Sequence, residues 1–179
     1  HELNGQGFQV SRPRIGRIMK KMGLRSIIRK KHKIATTDSN HKLWISENIL
    51  KREFDQEDIS KAWVSDITYV PTAEGWLYLT IIMDLCDRKI VGWSLSEDLT
   101  TEGTIIPAWK MAKVNRAIAP GLIFHSDRGV QYAADSFRKE LISNDVVQSM
   151  SRKGNCWDNA VAENFFKIIK SEMIYHCDY

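Results

Sequence analysis

Cysteine is scarce in this sequence: Cys86, Cys156 and Cys177 are widely spaced and odd in number among 179 residues. They form neither a disulfide framework nor a CxxC metal pair, so disulfide-stapled and zinc-ribbon classes are excluded. A reducing cytoplasm is the expected compartment. The five histidines are scattered without zinc-ligand spacing. No apolar run approaches the ~20 residues that a membrane helix needs. The best stretch, Trp76 to Met83, stops at Asp84, so no membrane partner is expected. There is no signal peptide, internal repeat or low-complexity block. The chain opens with His1 rather than Met, which leads us to expect that the natural N-terminus is missing.

What is present reads as an ordinary globular protein, 43% hydrophobic and 27% charged. Its length suits one α/β-sized domain plus an appendage. The net charge of +4 conceals a division. Residues 1–50 carry 11 Lys and Arg against 3 Asp and Glu, whereas residues 51–179 carry 15 against 19. A basic arm joined to a mildly acidic body suggests that the arm meets a polyanion, the alternative being a solvated charged tail.

The arm begins with a predicted helix over 12–22, with Ser11 as its cap, Pro13 in its first turn and Gly23 as its stop. Ile15, Ile18, Met19 and Met22 line one face, and Arg14, Arg17, Lys20 and Lys21 fill the remainder. It reads either as part of a helix-turn-helix region, residues 1–24, or as a surface helix with a solvated basic side. Residues 25–60 read as a basic linker followed by a helix near Leu43–Phe54. From residue 61 the pattern changes. Ala62–Val70, Trp76–Asp84 and Lys89–Leu95 read as three hairpin-linked strands. Next come a helix from Thr101 to about Ile118, a strand at Leu122–Ser126, a helix at Asp135–Ser143, a strand at Val146–Ser149 and a helix from Asp158 to about Tyr175. This order predicts an α/β fold with a mixed five-stranded sheet, three antiparallel strands and then βα units, flanked by helices.

Three acids stand out. Asp66 interrupts a strand that is apolar on both faces, where a carboxylate is costly unless a cation or donors meet it; it could also hydrogen-bond a turn. Asp127 closes a strand ahead of Arg128-Gly129, at the strand end where α/β sheets collect ligands, although Asp before Gly is also a routine turn. Glu163 shares a helical stripe with Asn159, Lys167 and Lys170, opposite Val161, Phe165, Ile168 and Ile169. Its plain alternative is an exposed pair with Lys167. Acids from three separate elements suit a two-metal phosphoryl-transfer site, because Mg²⁺ takes oxygen ligands and keeps several waters. Asp84, Asp87, Asp98 and Asp158 have ordinary turn or capping roles available to them. His125 and Asn159 are expected to line the cleft.

The segments Trp63-Val-Ser-Asp66-Ile-Thr-Tyr69, His125-Ser-Asp127-Arg-Gly129-Val-Gln-Tyr132 and Gly154-Asn155-Cys-Trp-Asp158-Asn159-Ala160-Val-Ala-Glu163 resemble the signature of the DDE transposases of bacterial insertion sequences. The group is the one named insertion sequence three, similar to the retroviral integrase core. Gly75-Trp76-Leu-Tyr-Leu79 and Asp84-Leu-Cys-Asp-Arg88-Lys-Ile-Val-Gly-Trp93 match its central strands, and thirty-five residues separate Asp127 from Glu163, as in that family. Val130 and Asn164 stand where the family usually has serine. The resemblance implies a ribonuclease-H-like core over 61–179 in which Asp66, Asp127 and Glu163 bind two Mg²⁺, with Mn²⁺ able to substitute. It implies metal-dependent cleavage and strand transfer of double-stranded DNA, at element ends and target, by a self-associating bacterial, nucleoid-associated protein. Arg14, Arg17, Lys20, Lys21, Asn159, Lys167 and Lys170 are the expected DNA contacts. It also implies a chain that starts partway through a helix-turn-helix region and is truncated at the C-terminus. Two other outcomes are an inactive DNA-binding remnant and a ribonuclease-H-like nuclease.

Overall fold

The strand that the sequence makes apolar on both faces takes the middle of the sheet. In the computed structural model, which describes residues 5–24 and 41–176, five strands pair in the order β3-β2-β1-β4-β5. They are β1 (Ala62–Thr72), β2 (Gly75–Asp84), β3 (Ile90–Ser96), β4 (Ile123–Ser126) and β5 (Val147–Met150). The first three form the expected antiparallel meander, and β4 and β5 add in parallel. This is the mixed sheet expected from the element order.

Period-two alternation sends the two faces of β1 into separate cores. Trp63 joins one with Ile82, Phe124, Tyr132 and Phe137, under the helices α2 (Ile105–Asn115) and α4 (Asp135–Ser143). Its aromatic rings meet mainly edge to face, Trp109 on Trp63, Phe124 and Phe137. Ala62 and Val64 join the other with Ile81, Met83 and Leu85, under α5 (Ala160–Glu172), which buries Ala162 and Phe166. Helices thus cover both faces. Gly92 is required by this packing, since a Cβ there would strike the Ala108 carbonyl and the Ala112 side chain of α2.

Several boundaries shift. Helix α2 starts at Ile105, not Thr101: residues 101–104 form turns in which the Thr100 carbonyl accepts the Thr104 N–H and hydroxyl, and the Ile106 N–H goes to the Thr101 carbonyl. A short helix α3 (Val130–Ala133) follows Asp127 and was not expected. The last helix begins as a 3₁₀ turn, Cys156–Asn159, before α5, and Asn159 rather than Asp158 precedes the first α-helical residue. On α5, Val161, Phe165 and Ile169 pack on the sheet as expected, whereas Ile168 is exposed.

The helix expected near Leu43–Phe54 is absent. Residues 41–60 form an irregular strap instead, of which 46–50 run along β5. Ser149 Oγ takes the N–H groups of Ile49 and Leu50, the Glu47 carbonyl accepts the Met150 N–H, and Ser46 hydrogen-bonds Gln148. These bonds replace the i→i−4 bonds of a helix and cover a sheet edge.

Residues 1–33 form a separate unit. Within it α1 spans Arg12–Lys21, with Pro13 in the first turn. Arg14, Arg17, Lys20 and Lys21 are exposed, and no residue of α1 is buried. Most of the expected basic linker, residues 25–40, lies outside the described residues. Among the described residues no helix is long and apolar enough to cross a membrane.

Candidate active site

Parity and register bring the first two acids together. Asp66 pairs with Ile81 across the antiparallel ladder and so lies on the α5 side of the sheet. The parallel ladder ends at Val64 and His125, two residues before each acid, and Asp127 follows the last residue of β4 close enough for its charge to act on Asp66. Both are half-buried. Asp66 Oδ1 accepts the Ile67 N–H at 2.9 Å, and Asp127 Oδ1 accepts the Gly129 N–H at 2.8 Å.

The third acid arrives on α5. Asn159 Nδ2 donates to the Ser65 carbonyl at 3.1 Å, tying the start of the helix to the strand position beside Asp66. Glu163 follows one turn later. Ala162 and Phe166 seat the helix on the sheet, leaving Glu163 at its margin.

Electrostatics shows that the three sense one another. Burial raises the proton affinity of Asp66 well above the carboxylate range, and the charges of Asp127 and then Glu163 add to the effect; the Ile67 N–H and Lys170 oppose it. Glu163 is raised by burial and by Asp127. Half-buried Lys170 is lowered by burial against the pull of Asp66, which puts it among the acids. Lys167 is exposed. Among the described residues no three His, Cys, Asp or Glu side chains form a ready-made cage for a metal ion. The acids are close enough to repel and are not closed around a point. All the candidate donors are oxygens, as hard divalent cations require. Asn159 Oδ1 is buried with no donor and so could accept from the water of a hydrated ion.

Beneath the acids, Tyr132 and Ser65 hydrogen-bond at 2.9 Å. Ser65 spends its own proton on the Ile81 carbonyl, so the phenol donates to Ser65. Burial, then Asp66 and Asp127, raise the phenol's proton affinity. His125 is buried and does not line an open cleft. Ser149 Oγ already accepts two backbone N–H groups, so its hydroxyl donates to His125 Nδ1 at 2.8 Å. The ring proton therefore sits on Nε2, facing Ser151 Oγ at 3.3 Å. Burial lowers the His125 pKa to about 4, against the opposing influence of the Asp158 backbone and charge.

The loop between β5 and α5 contains the main feature that sequence reading missed. Asp158 is buried and ion-paired, not a helix cap. Its carboxylate accepts Arg152 N, Nε and Nη2 at 2.9–3.0 Å and Arg52 Nε at 2.7 Å. Arg52 Nη2 also reaches Asn155 Oδ1 at 2.9 Å. These bonds hold Asp158 far below the usual carboxylate range, the Arg152 hydrogen bonds first. Arg52 comes from the strap, where Lys51 and Arg52 adopt φ of 49° and 69°, a left-handed pair that costs non-glycine residues strain. The other demoted acids hold structural roles, as expected. Asp84 accepts Ser60 N, Trp63 Nε1 and Arg116, and Asp87 pairs with Arg116.

Comparison with known proteins agrees with this architecture. The family model described as the integrase core domain matches residues 60–156, and an HTH-like domain matches residues 1–32. An uncharacterized 31 kDa protein of insertion element IS600 from Shigella sonnei is 41% identical over 98% of this chain and 64% of its own length. Transposase InsF of insertion sequence IS3A from Escherichia coli K12 is 36% identical over 97% of this chain and 60% of its own. The chain therefore spans about three-fifths of the length of these relatives. Among solved structures, a chain of the simian T-cell lymphotropic virus intasome in complex with PP2A regulatory subunit B56 gamma matches with TM-score 0.62 at 14% identity, over 76% of this chain and 47% of that one. The HTLV-2 integrase catalytic core in complex with magnesium matches with TM-score 0.52 at 19% identity, over 63% and 68%. At such identities these show a shared ribonuclease-H-like fold, and the family match carries the rest: the chain belongs to the integrase core domain family and is homologous to the transposases of insertion sequences.

Proposed function

We propose that this chain is the catalytic core of an insertion-sequence transposase that cuts a DNA strand at an element end and joins the freed end to target DNA. The observation that carries the reading is the convergence of acids from three separate elements, close enough that the charges of Asp127 and Glu163 act on Asp66 and that of Asp127 on Glu163, beside a half-buried Lys170. Acids held in a state that repels are acids arranged for a cation. Asp66, Asp127 and Glu163 would hold two Mg²⁺, or Mn²⁺ in their place, and magnesium in the HTLV-2 core supports that choice of ion. Bound there, the ions would activate the attacking hydroxyl and neutralise the leaving oxygen.

The protein's own part is positioning and charge balance. In cleavage, a water oxygen bonds to phosphorus as the P–O3′ bond breaks, and the 3′ oxygen departs as a hydroxyl with the proton that the water gives up. In joining, that 3′-hydroxyl oxygen attacks a target phosphodiester, whose own 3′ oxygen leaves. One ester bond forms for each one lost, so no covalent enzyme intermediate is needed. Lys170 and exposed Lys167, on the Glu163 side of α5, present cations to backbone phosphate, with Asn159 beside the acids. Arg14, Arg17, Lys20 and Lys21 add phosphate contacts from the arm. The HTH-like match supports DNA as the partner, and the match to an intasome chain supports self-association on it. A bacterial cytoplasm, at the nucleoid, is where such an activity would act.

The test is cleavage and strand transfer on oligonucleotides carrying an element end. Activity requires Mg²⁺ or Mn²⁺, stops in EDTA and is lost in Asp66→Asn. Equal cutting in EDTA, or an active Asp66→Asn, overturns the reading. DNA binding without turnover in any metal marks a non-catalytic remnant, and cutting confined to RNA in hybrids marks a ribonuclease.

A further inference from the structure

We propose that Trp157 is a stacking platform for an unpaired nucleobase at the DNA end, a binding site that deepens the reading above and rests on it. Trp157 lies on the 3₁₀ turn Cys156–Asn159, one residue from buried Asp158, and its side chain is 68% exposed. The turn beneath it is immobilised from several directions. Asp158 takes three bonds from Arg152 and one from Arg52. Arg52 also holds Asn155, the Asn155 N–H donates to the Arg152 carbonyl and the Asp158 N–H to the Asn155 carbonyl, and Asn159 is tied to Ser65 beside Asp66. A large apolar ring is thus held in water on rigid backbone within two residues of a contact to the acid-bearing strand. Folding alone gives no reason for that arrangement.

Other exposed tryptophans have partners or different surroundings. Trp44 lies under the Arg138 guanidinium and Trp76 against Tyr69. Trp93 sits on edge strand β3 near exposed Leu95, an aliphatic setting. The turn that carries Trp157 is anchored by two arginines. The side chains of Arg52 and Arg152 are 40% and 58% exposed, and each keeps one guanidinium nitrogen, Nη1, outside the bonds to Asp158 and Asn155. An exposed aromatic ring on a turn whose anchoring arginines keep a guanidinium nitrogen free suits a base and its phosphate together. Within a duplex, neighbouring pairs and the partner strand restrict access to the base faces, so the ligand is an unpaired base.

The experiment measures binding of this chain to a labelled blunt duplex and to the same duplex with a short unpaired 3′ overhang, at fixed salt in EDTA, so that no turnover is needed. Wild-type protein is expected to prefer the overhang. Trp157→Ala should lose about tenfold in affinity for it, the order of one base–aromatic stack, and bind the blunt duplex unchanged, whereas Trp157→Phe keeps most of the preference. Equal overhang preference in Trp157→Ala, or parallel loss on both duplexes, overturns the proposal. A fall of several degrees in the melting temperature of Trp157→Ala also overturns it, since the ring would then be packed. Failure of the catalytic reading is distinguishable, because it appears as wild-type protein that neither cuts nor joins DNA with Mg²⁺ whatever the binding result.

Discussion

Arg52 and Asp158 lie 106 residues apart in the chain and meet at 2.7 Å, tying the strap that precedes the sheet to the turn that launches the Glu163 helix. Asp158 is fully buried and Arg52 is not, so the pair gains from reduced screening on one side only.

Removing the carboxylate should therefore cost more than removing the strap arginine. Asp158→Asn removes the acceptor of four charge-assisted bonds while the two arginines stay partly exposed to water, and should cost about 2–3 kcal/mol. Arg52→Ala, with Arg152 still in place, should cost about 1–2 kcal/mol. Urea unfolding of the single and double variants should show less than additive losses, because the two residues share one network.

Asp66→Asn should abolish strand transfer and at the same time stabilise the fold. Its folded-state proton affinity is raised, so at neutral pH the ionised side chain is unfavourable, and a neutral amide relieves that. A gain of about 1 kcal/mol, roughly 2–4 °C in melting temperature, is expected. Added Mg²⁺ should raise the melting temperature of the wild type and leave the variant unmoved.

His125 sets an acid limit on stability. Its pKa falls to about 4 when folded, from an ordinary 6.5, so the unfolded chain binds a proton first as pH drops. Stability is unaffected by this group above pH 6.5, declines between 6.5 and 4, and by pH 4 has lost most of about 3 kcal/mol. Urea midpoints across that window should slope for the wild type and flatten for His125→Gln.

Affinity for duplex DNA should fall steeply with salt, by a slope of roughly 0.9 per phosphate neutralised. Lys20→Ala and Lys21→Ala should each weaken binding alike on all sequences and lower that slope by about 1. An unchanged slope would remove α1 from the DNA contacts.

Most of the fold was legible because its information is local. Short runs rich in Val, Ile, Trp, Tyr and Thr between turn residues marked the strands, and helical spacing of Val161, Phe165 and Ile169 marked the last helix. The three acids were legible through motif and spacing. The rest depends on partners far along the chain. Leu43, Trp44, Ile45, Ile49 and Leu50 have apolar spacing compatible with a helix, yet the hydroxyl of Ser149, about a hundred residues away, takes two of the N–H groups that a helix would use. Asp158 ahead of a helix looked like a cap because Arg52 lies far upstream. Helix α2 starts late because the Ile106 N–H bonds five residues back, to the Thr101 carbonyl, outside the i→i−4 pattern.

The two kinds of tether in the site have a consequence for how it adapts. Asp66 and Asp127 extend from neighbouring strands joined by main-chain bonding, so their separation is inherited from the sheet and is hard to alter. Glu163 rides on a helix seated by side chains and by one amide link to Ser65. In the proposed reaction, accommodation of ions of unequal radius, or of successive DNA intermediates, would come from small excursions of that helix, with the strand-borne acids as the fixed reference.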